Sequence, residues 1–224
     1  MPQHQHSWDL TPAEARSLQS ELAGAVDTTS PLPPWETLAA ADVSFDRGSD
    51  VLHAAVVVVR AGTFELVERV GLTAEAKFPY VPGLLSFREA PALLEAFGRL
   101  KARPDVVLCD GQGLAHPRRL GIACHLGLWL DLPTVGCAKS RLCGTFDEPG
   151  PSRGDRSPLV DRGETIGAVL RTRDRVAPLF VSPGHRCDLE SAVGLVLATT
   201  RKLRLPIPSR MAHDFVNEVR RAAR

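Results

Sequence analysis

Val56-Val-Val-Val59, inside the apolar run 52–60, constrains the fold more than any other stretch of this chain. Four consecutive β-branched residues favour a strand over a helix. Without polar alternation, neither face of that strand can meet water. It therefore needs paired edges and apolar cover on both faces, which a layered α/β arrangement supplies. Residues 40–45 and 63–72 read as its neighbouring strands, and Arg60-Ala-Gly-Thr63 is short enough for a hairpin. The chain thus opens as an antiparallel meander. Ahead of it, Thr11-Pro-Ala-Glu14 is a capping box with proline at the first helical position, predicting a helix over 12–25.

After the meander the period changes. Residues 87–103 read as a helix, 106–109 as a short apolar strand, 118–130 as a helix and 134–138 as a strand, an order that implies a parallel crossover. Runs at 165–171 and 176–181 read as strands, and 188–203 and 209–221 as helices. The expected fold is α/β: a mixed sheet of three antiparallel strands then parallel strands, flanked by helices. One domain over 1–224 is expected, with 1–10 a loose polar end and the Gly-, Pro- and charge-rich segment 144–158 a mobile loop.

An apolar content of 44% with 24% charged residues fits a globular domain. No apolar stretch approaches a membrane-spanning length and the start carries no secretory pattern, so a cytoplasmic protein is expected. Five cysteines without a Cys-x-x-Cys pair read as reduced thiols rather than zinc ligands. A net charge of +1 excludes a broadly basic nucleic-acid binder; any phosphate footprint must be local.

Three acids stand out by position. Asp42 lies inside the apolar strand Ala40-Ala-Asp-Val-Ser-Phe45, Asp110 ends the strand Val106-Val-Leu-Cys-Asp110, and Glu89 sits near the start of a helix. A carboxylate on a core strand is expensive unless paired or bound to a cation. Converging carboxylates make a hard-oxygen site suited to Mg²⁺; the plainer alternative for any one of them is a cap or a turn. Asp110-Gly-Gln-Gly-Leu-Ala-His-Pro-Arg-Arg119 follows, where Gly111 and Gly113 allow a close backbone approach and His116 and Arg118 stand near a helix start that favours anions. The alternatives are a nucleotide site on the Gly-x-Gly turn or solvated arginines. Pro79-Tyr-Val-Pro82-Gly83 holds the chain's one tyrosine between prolines, placing Tyr80 either against a displaced base or back on the core. Lys139 follows a strand at the same sheet end as Asp110 and could neutralise a phosphate. His213 has catalytic and structural readings, with Asp214 adjacent; His125 and His185 read as structural, and Asp46 and Asp50 as turn acids.

Together these segments resemble the endonuclease V family over about residues 41–211. Asp42-Val-Ser-Phe45, the stretch from Pro79-Tyr-Val-Pro to Ser-Phe-Arg-Glu-Ala-Pro91, Asp110 to Arg119, Gly136-Cys-Ala-Lys139 and Val181-Ser-Pro-Gly-His185 carry the resemblance. Ala40-Ala41 stand where the family usually has Gly-Val, and Ser209 where it usually has threonine; the acids are intact. The resemblance implies a ribonuclease-H-like fold and hydrolysis of the second phosphodiester 3′ to hypoxanthine, leaving 3′-hydroxyl and 5′-phosphate ends, in DNA repair. It implies Mg²⁺, with Mn²⁺ as a substitute, held by Asp42, Asp110 and Glu89. His213 and Lys139 would complete the catalytic set, and Tyr80 with Pro79 and Pro82 would be a wedge. Gly83, Leu85, Gly111, Gly121 and Ile122 would surround the flipped base. The expected partner of this monomer is DNA containing deoxyinosine, or RNA containing inosine. A non-catalytic sensor of deaminated bases is the alternative class.

Overall fold

The computed structural model describes residues 5–46 and 48–223. Eight strands form one sheet in the order β3-β2-β1-β4-β5-β8-β7-β6. The meander is β1 (Thr37–Phe45), β2 (Val51–Arg60) and β3 (Leu66–Glu75). β4 (Val106–Cys109) pairs parallel with β1, and β5 (Thr134–Ala138) parallel with β4. The rest of the sheet runs antiparallel: β8 (Leu179–Pro183) on β5, β7 (Glu164–Leu170) on β8, and β6 (Arg156–Asp161) on β7. The parallel part is thus confined to β1, β4 and β5.

The valine run behaves as its composition requires. Val57 and Val59 enter one core with Leu38, Ala40, Val106 and Leu108; Val56 and Val58 enter the opposite core with Ala39, Ala41, Val107 and Cys109. The first core is covered by α4 (Leu189–Thr200) and α5 (Ile207–Ala222), the second by α2 (Leu85–Gly98) and α3 (Ile122–Leu130). α5 lies close on β3 because Gly71 presents no side chain to Phe215 and Val219.

Several boundaries differ from the sequence expectation for local reasons. α1 (Pro12–Ala23) has the full capping box and stops at Gly24. α2 stops at Gly98 rather than 103, ahead of Pro104. α3 starts at Ile122 rather than 118, because Arg119 adopts a left-handed φ of 60° and Gly121 is extended. Segment 144–158, expected to be a loop, is one up to residue 155 and meets the buried Arg171 guanidinium. It donates to the Gly150 carbonyl (3.0 Å), the Pro149 carbonyl (2.9 Å) and Glu148 (2.7 Å). Its last residues enter β6, whose alternation of buried Ser157 and Leu159 with exposed Pro158 is a half-buried strand pattern hidden among turn residues. Of the expected loose end, residues 1–4 lie outside the described residues. His6 and Trp8 pack against Trp129, with ring centroids 4.9 and 4.7 Å away.

The loop after β4 is laid directly on the sheet. A Cβ at Gly136 would come within 2.4 Å of the Gly113 nitrogen, and one at Gly113 within 2.0 Å of the Pro183 carbonyl oxygen. Both neighbours are backbone, so neither can yield. Gly136→Ala should therefore lower Tm by many degrees. Gly194→Ala, exposed in the middle of α4 with nothing within 4 Å, should raise stability by about 0.5–1 kcal/mol. Thermal unfolding of the two variants beside the parent checks both signs; equal shifts would contradict this packing.

Candidate active site

The register of β1 and β4 brings two of the three acids together. Ala41 pairs with Cys109 and the Asp110 amide donates to the Ala41 carbonyl (3.3 Å), so Asp42 and Asp110 leave adjacent strands at the same level. Asp42 continues the alternation of Leu38 and Ala40 towards α5. There His213 Nδ1 lies 2.9 Å from its Oδ2. Glu89 comes from α2 and Lys139 from the residue after β5, its Nζ donating to Asp110 Oδ2 (2.5 Å). All five side chains border one cavity of about 300 Å³.

Electrostatically this cluster is short of positive charge. Burial, and then the neighbouring Asp110, push the Asp42 carboxyl above its ordinary range, against the pull of its hydrogen bond with His213. Burial, and then Asp42, push Glu89 up to about 8. Arg88 opposes this only partly, because its guanidinium is committed to Asp50 and to the Ser49 (2.7 Å) and Phe78 (2.8 Å) carbonyls. Asp50 is thus the surface partner that anchors α2 to the β1–β2 turn. Three crowded carboxylates with one lysine form a donor set that suits a hard divalent cation. Among the described residues no three His, Cys, Asp or Glu side chains already converge closely enough to hold an ion as they stand. A cation would compete with Lys139 and His213 for the oxygens they engage.

A second cavity of about 400 Å³ adjoins the first and shares Glu89, Asp110 and Lys139 with it. Its walls bring together Tyr80, Pro82, Gly83, Leu85, Gly111, His116, Gly121 and Ile122, eight of the ten residues expected at a nucleic-acid site. Its volume falls within the usual range for small-molecule sites. Tyr80 is 63% exposed, held out from the core by its proline-flanked loop. Gly83 turns that loop with φ 77°, a conformation side chains resist. Pro79 is exposed and off the cavity wall. Arg118 is off it too: its Nη2 donates to the Gly83 carbonyl (2.6 Å) and its Nε to Gln19 Oε1 (2.5 Å), so it braces the tyrosine loop. His116 is buried, and burial followed by the Arg118 charge lowers it to about 4, leaving a neutral ring at the wall.

Two wall features were missed from sequence. Gln112 is buried with its Nε2 on the Ser140 carbonyl (2.9 Å) and its Oε1 unpartnered; a polar residue between the glycines of Asp110-Gly-Gln-Gly113 was the available signal. Gln19, on the buried face of α1, joins Arg118 to the Leu120 carbonyl (2.7 Å). His125 and His185 are buried, as their structural reading requires. Of His213 and Asp214, it is His213 that meets Asp42; Asp214 borders a smaller adjoining recess.

A family model described as Endonuclease V matches residues 20–214. An endonuclease V of Gloeobacter violaceus is 50% identical over 220 residues, covering 97% of this chain and 89% of that protein. The endonuclease V structure from Streptomyces avermitilis superposes with a TM-score of 0.92 at 42% identity, over 97% of this chain and 96% of that one. The Ciona intestinalis endonuclease V, in complex with a 24mer DNA containing an inosine followed by a ribo-adenosine, gives a TM-score of 0.83 at 27% identity, over 95% and 98%. The ribonuclease-H-like architecture, the acid positions and these matches agree: the chain belongs to the endonuclease V family.

Proposed function

We propose that this protein is a Mg²⁺-dependent endonuclease that takes a hypoxanthine out of a strand and hydrolyses the second phosphodiester on its 3′ side. The observation that carries the reading is the sharing of Glu89, Asp110 and Lys139 by two cavities, one sized for a base and one ringed by carboxylates. The inosine-containing DNA bound by the Ciona relative supports the substrate class.

Asp42, Asp110 and Glu89 would hold Mg²⁺, with Mn²⁺ able to substitute. When bound, the ion supplies a polarised water and neutralises charge at phosphorus. Lys139 pairs with the scissile phosphate once it is drawn from Asp110, and His213 fixes the orientation of Asp42. Tyr80 fills the stack vacated by the flipped base, while Gly111 and Gly121 let backbone approach the base edge. Attack is in line, without a covalent enzyme intermediate, and leaves 3′-hydroxyl and 5′-phosphate ends.

A strand-cleavage assay tests the whole reading, using matched DNA and RNA oligonucleotides with and without one hypoxanthine, in Mg²⁺ and in EDTA. The expected result is a Mg²⁺-dependent cut one nucleotide beyond the lesion. Asp110→Ala should lose cleavage by at least ~10³-fold while retaining lesion binding. Unchanged cutting by that variant, or lesion binding without any cutting by the parent, sinks the enzyme assignment.

Tyr80→Ala removes an exposed ring, so Tm should hardly move while lesion affinity falls about tenfold. An equal fall in Mg²⁺ affinity would argue against the wedge.

Glu89 generates a pH signature. Its folded-state value of about 8 lies above the ordinary 4.5, so the folded chain keeps a proton that the unfolded chain releases. That contribution to stability is complete below the ordinary value and is lost as pH rises towards 8. Metal-free Glu89→Gln should therefore gain Tm relative to the parent between about pH 5 and pH 8, and Mg²⁺ should stabilise the parent more than the variant. Parallel Tm–pH curves for the two proteins would refute the assignment of Glu89 to the strained cluster.

A further inference from the structure

Among the described residues the exposed large apolar side chains are Val51, Leu66, Val67, Tyr80, Leu85 and Leu142. Three of them, Tyr80, Leu85 and Leu142, border the same 400 Å³ cavity. Tyr80 and Leu85 have places in the proposed base pocket; Leu142 has none. It is 49% exposed, although burying a leucine gains roughly 1.5–3 kcal/mol. A slack loop would fold it away.

This loop is braced. At its start the Ser140 carbonyl accepts from Gln112 Nε2 (2.9 Å). Arg141 Nη1 donates to the Gly144 carbonyl (2.8 Å), and its guanidinium lies 5.8 Å from the Phe146 ring centroid. Phe146 packs edge-on against Phe180. Thr145 and Val160 exchange both backbone hydrogen bonds, at 2.7 and 2.9 Å. Leu142 is thus held in water at a cavity mouth by fixed neighbours, the arrangement of an apolar contact awaiting a ligand.

Its position names the ligand. The segment 139–142 borders both cavities, Lys139 among the carboxylates and Leu142 at the base pocket. If the cut falls at the second phosphodiester 3′ to the lesion, one undamaged nucleotide must bridge the base pocket and the acids, along this segment. We propose that Leu142 is the platform against which the base of that 3′-neighbouring nucleotide packs. This rests on the functional reading above and adds how the cutting register is set. An aliphatic surface accepts the face of any base, so the contact carries no sequence preference.

The test is a cycle between side chain and base. Parent and Leu142→Ala are assayed in Mg²⁺ on hypoxanthine DNA carrying either a normal nucleotide or an abasic analogue immediately 3′ to the lesion. On the normal substrate, Leu142→Ala should raise KM about tenfold, with a smaller change in kcat and with cuts spread to the neighbouring bond. The abasic analogue should do the same to the parent and add nothing in the variant, because both changes remove one contact. Leu142→Met, which conserves volume, should restore a single cut. A variant with parental KM and one cut position, or losses that simply add, overturns the platform while the parent's cutting upholds the enzyme. A parent that cuts no hypoxanthine strand overturns both.

Discussion

The pairing of β1 with β4 is the constraint on which the site depends. Two apolar strands run parallel, in a register set by Ala41 opposite Cys109, and in each the next residue is an aspartate, Asp42 within β1 and Asp110 at the end of β4. The strands are held by cores on both faces, so the carboxylates have no freedom to separate. Glu89, delivered from α2 on one face of the sheet, is added to the same space. Burial first, and then the repulsion between them, raise the carboxyls of Asp42 and Glu89, and the fold sets Lys139 on Asp110 and His213 on Asp42. Like charges held together by apolar packing are a standing demand for positive charge, which is what a phosphoester-cleaving centre uses.

The second constraint is the closeness of the Asp110–Gly121 loop to the sheet. Gly113 and Gly136 meet backbone to backbone, and Gly121 packs on the Gln112 carbonyl. The loop therefore cannot sag into the cavity it borders. Arg118 and Arg119 extend this rigidity outward. Arg118 reaches the Gly83 turn, and Arg119, in its left-handed conformation, clasps Asp161 (2.9 Å) and Glu164 (2.7 Å) at the β6–β7 hairpin. The arginines thus add polar ties to the apolar packing of Leu114 and Ala115 on Leu159, Ile166 and Val169 of the β6–β7 hairpin, and of Val81 on Phe78, Leu84 and Phe87 beneath the tyrosine loop.

How much of this was legible in sequence depends on what each residue answers to. Val56–Val59 announced a doubly covered strand because branching and apolarity act locally, and Asp42 and Asp110 stood out because a charge on a core strand violates the pattern around it. The bracing by Arg118 was not legible, because the Gly83 carbonyl and Gln19 that engage it lie 35 and 99 residues away in the chain. The β6 strand was lost because its alternation is short and lies among turn residues, and its pairing with β7 is what makes it a strand. Leu142 had no signal at all, since exposure is decided by the bracing of Ser140, Arg141 and Thr145 and not by the leucine.

The arginine pattern also explains how a chain of net charge +1 can belong to a family of nucleases. Arg88, Arg119 and Arg171 are paired with carboxylates of the protein itself, and Arg118 and Arg204 are held by its carbonyls, so these side chains are committed to the fold. Lys139, half exposed and touching both cavities, is cationic charge placed at the acids themselves. On the function proposed above, such a distribution would give weak attraction to undamaged strands and leave discrimination to shape, through the cavity, the exposed tyrosine and the exposed leucine at its mouth. A protein that must pass over long tracts of ordinary nucleic acid gains from that arrangement, because nonspecific phosphate contacts would hold it where nothing needs cutting.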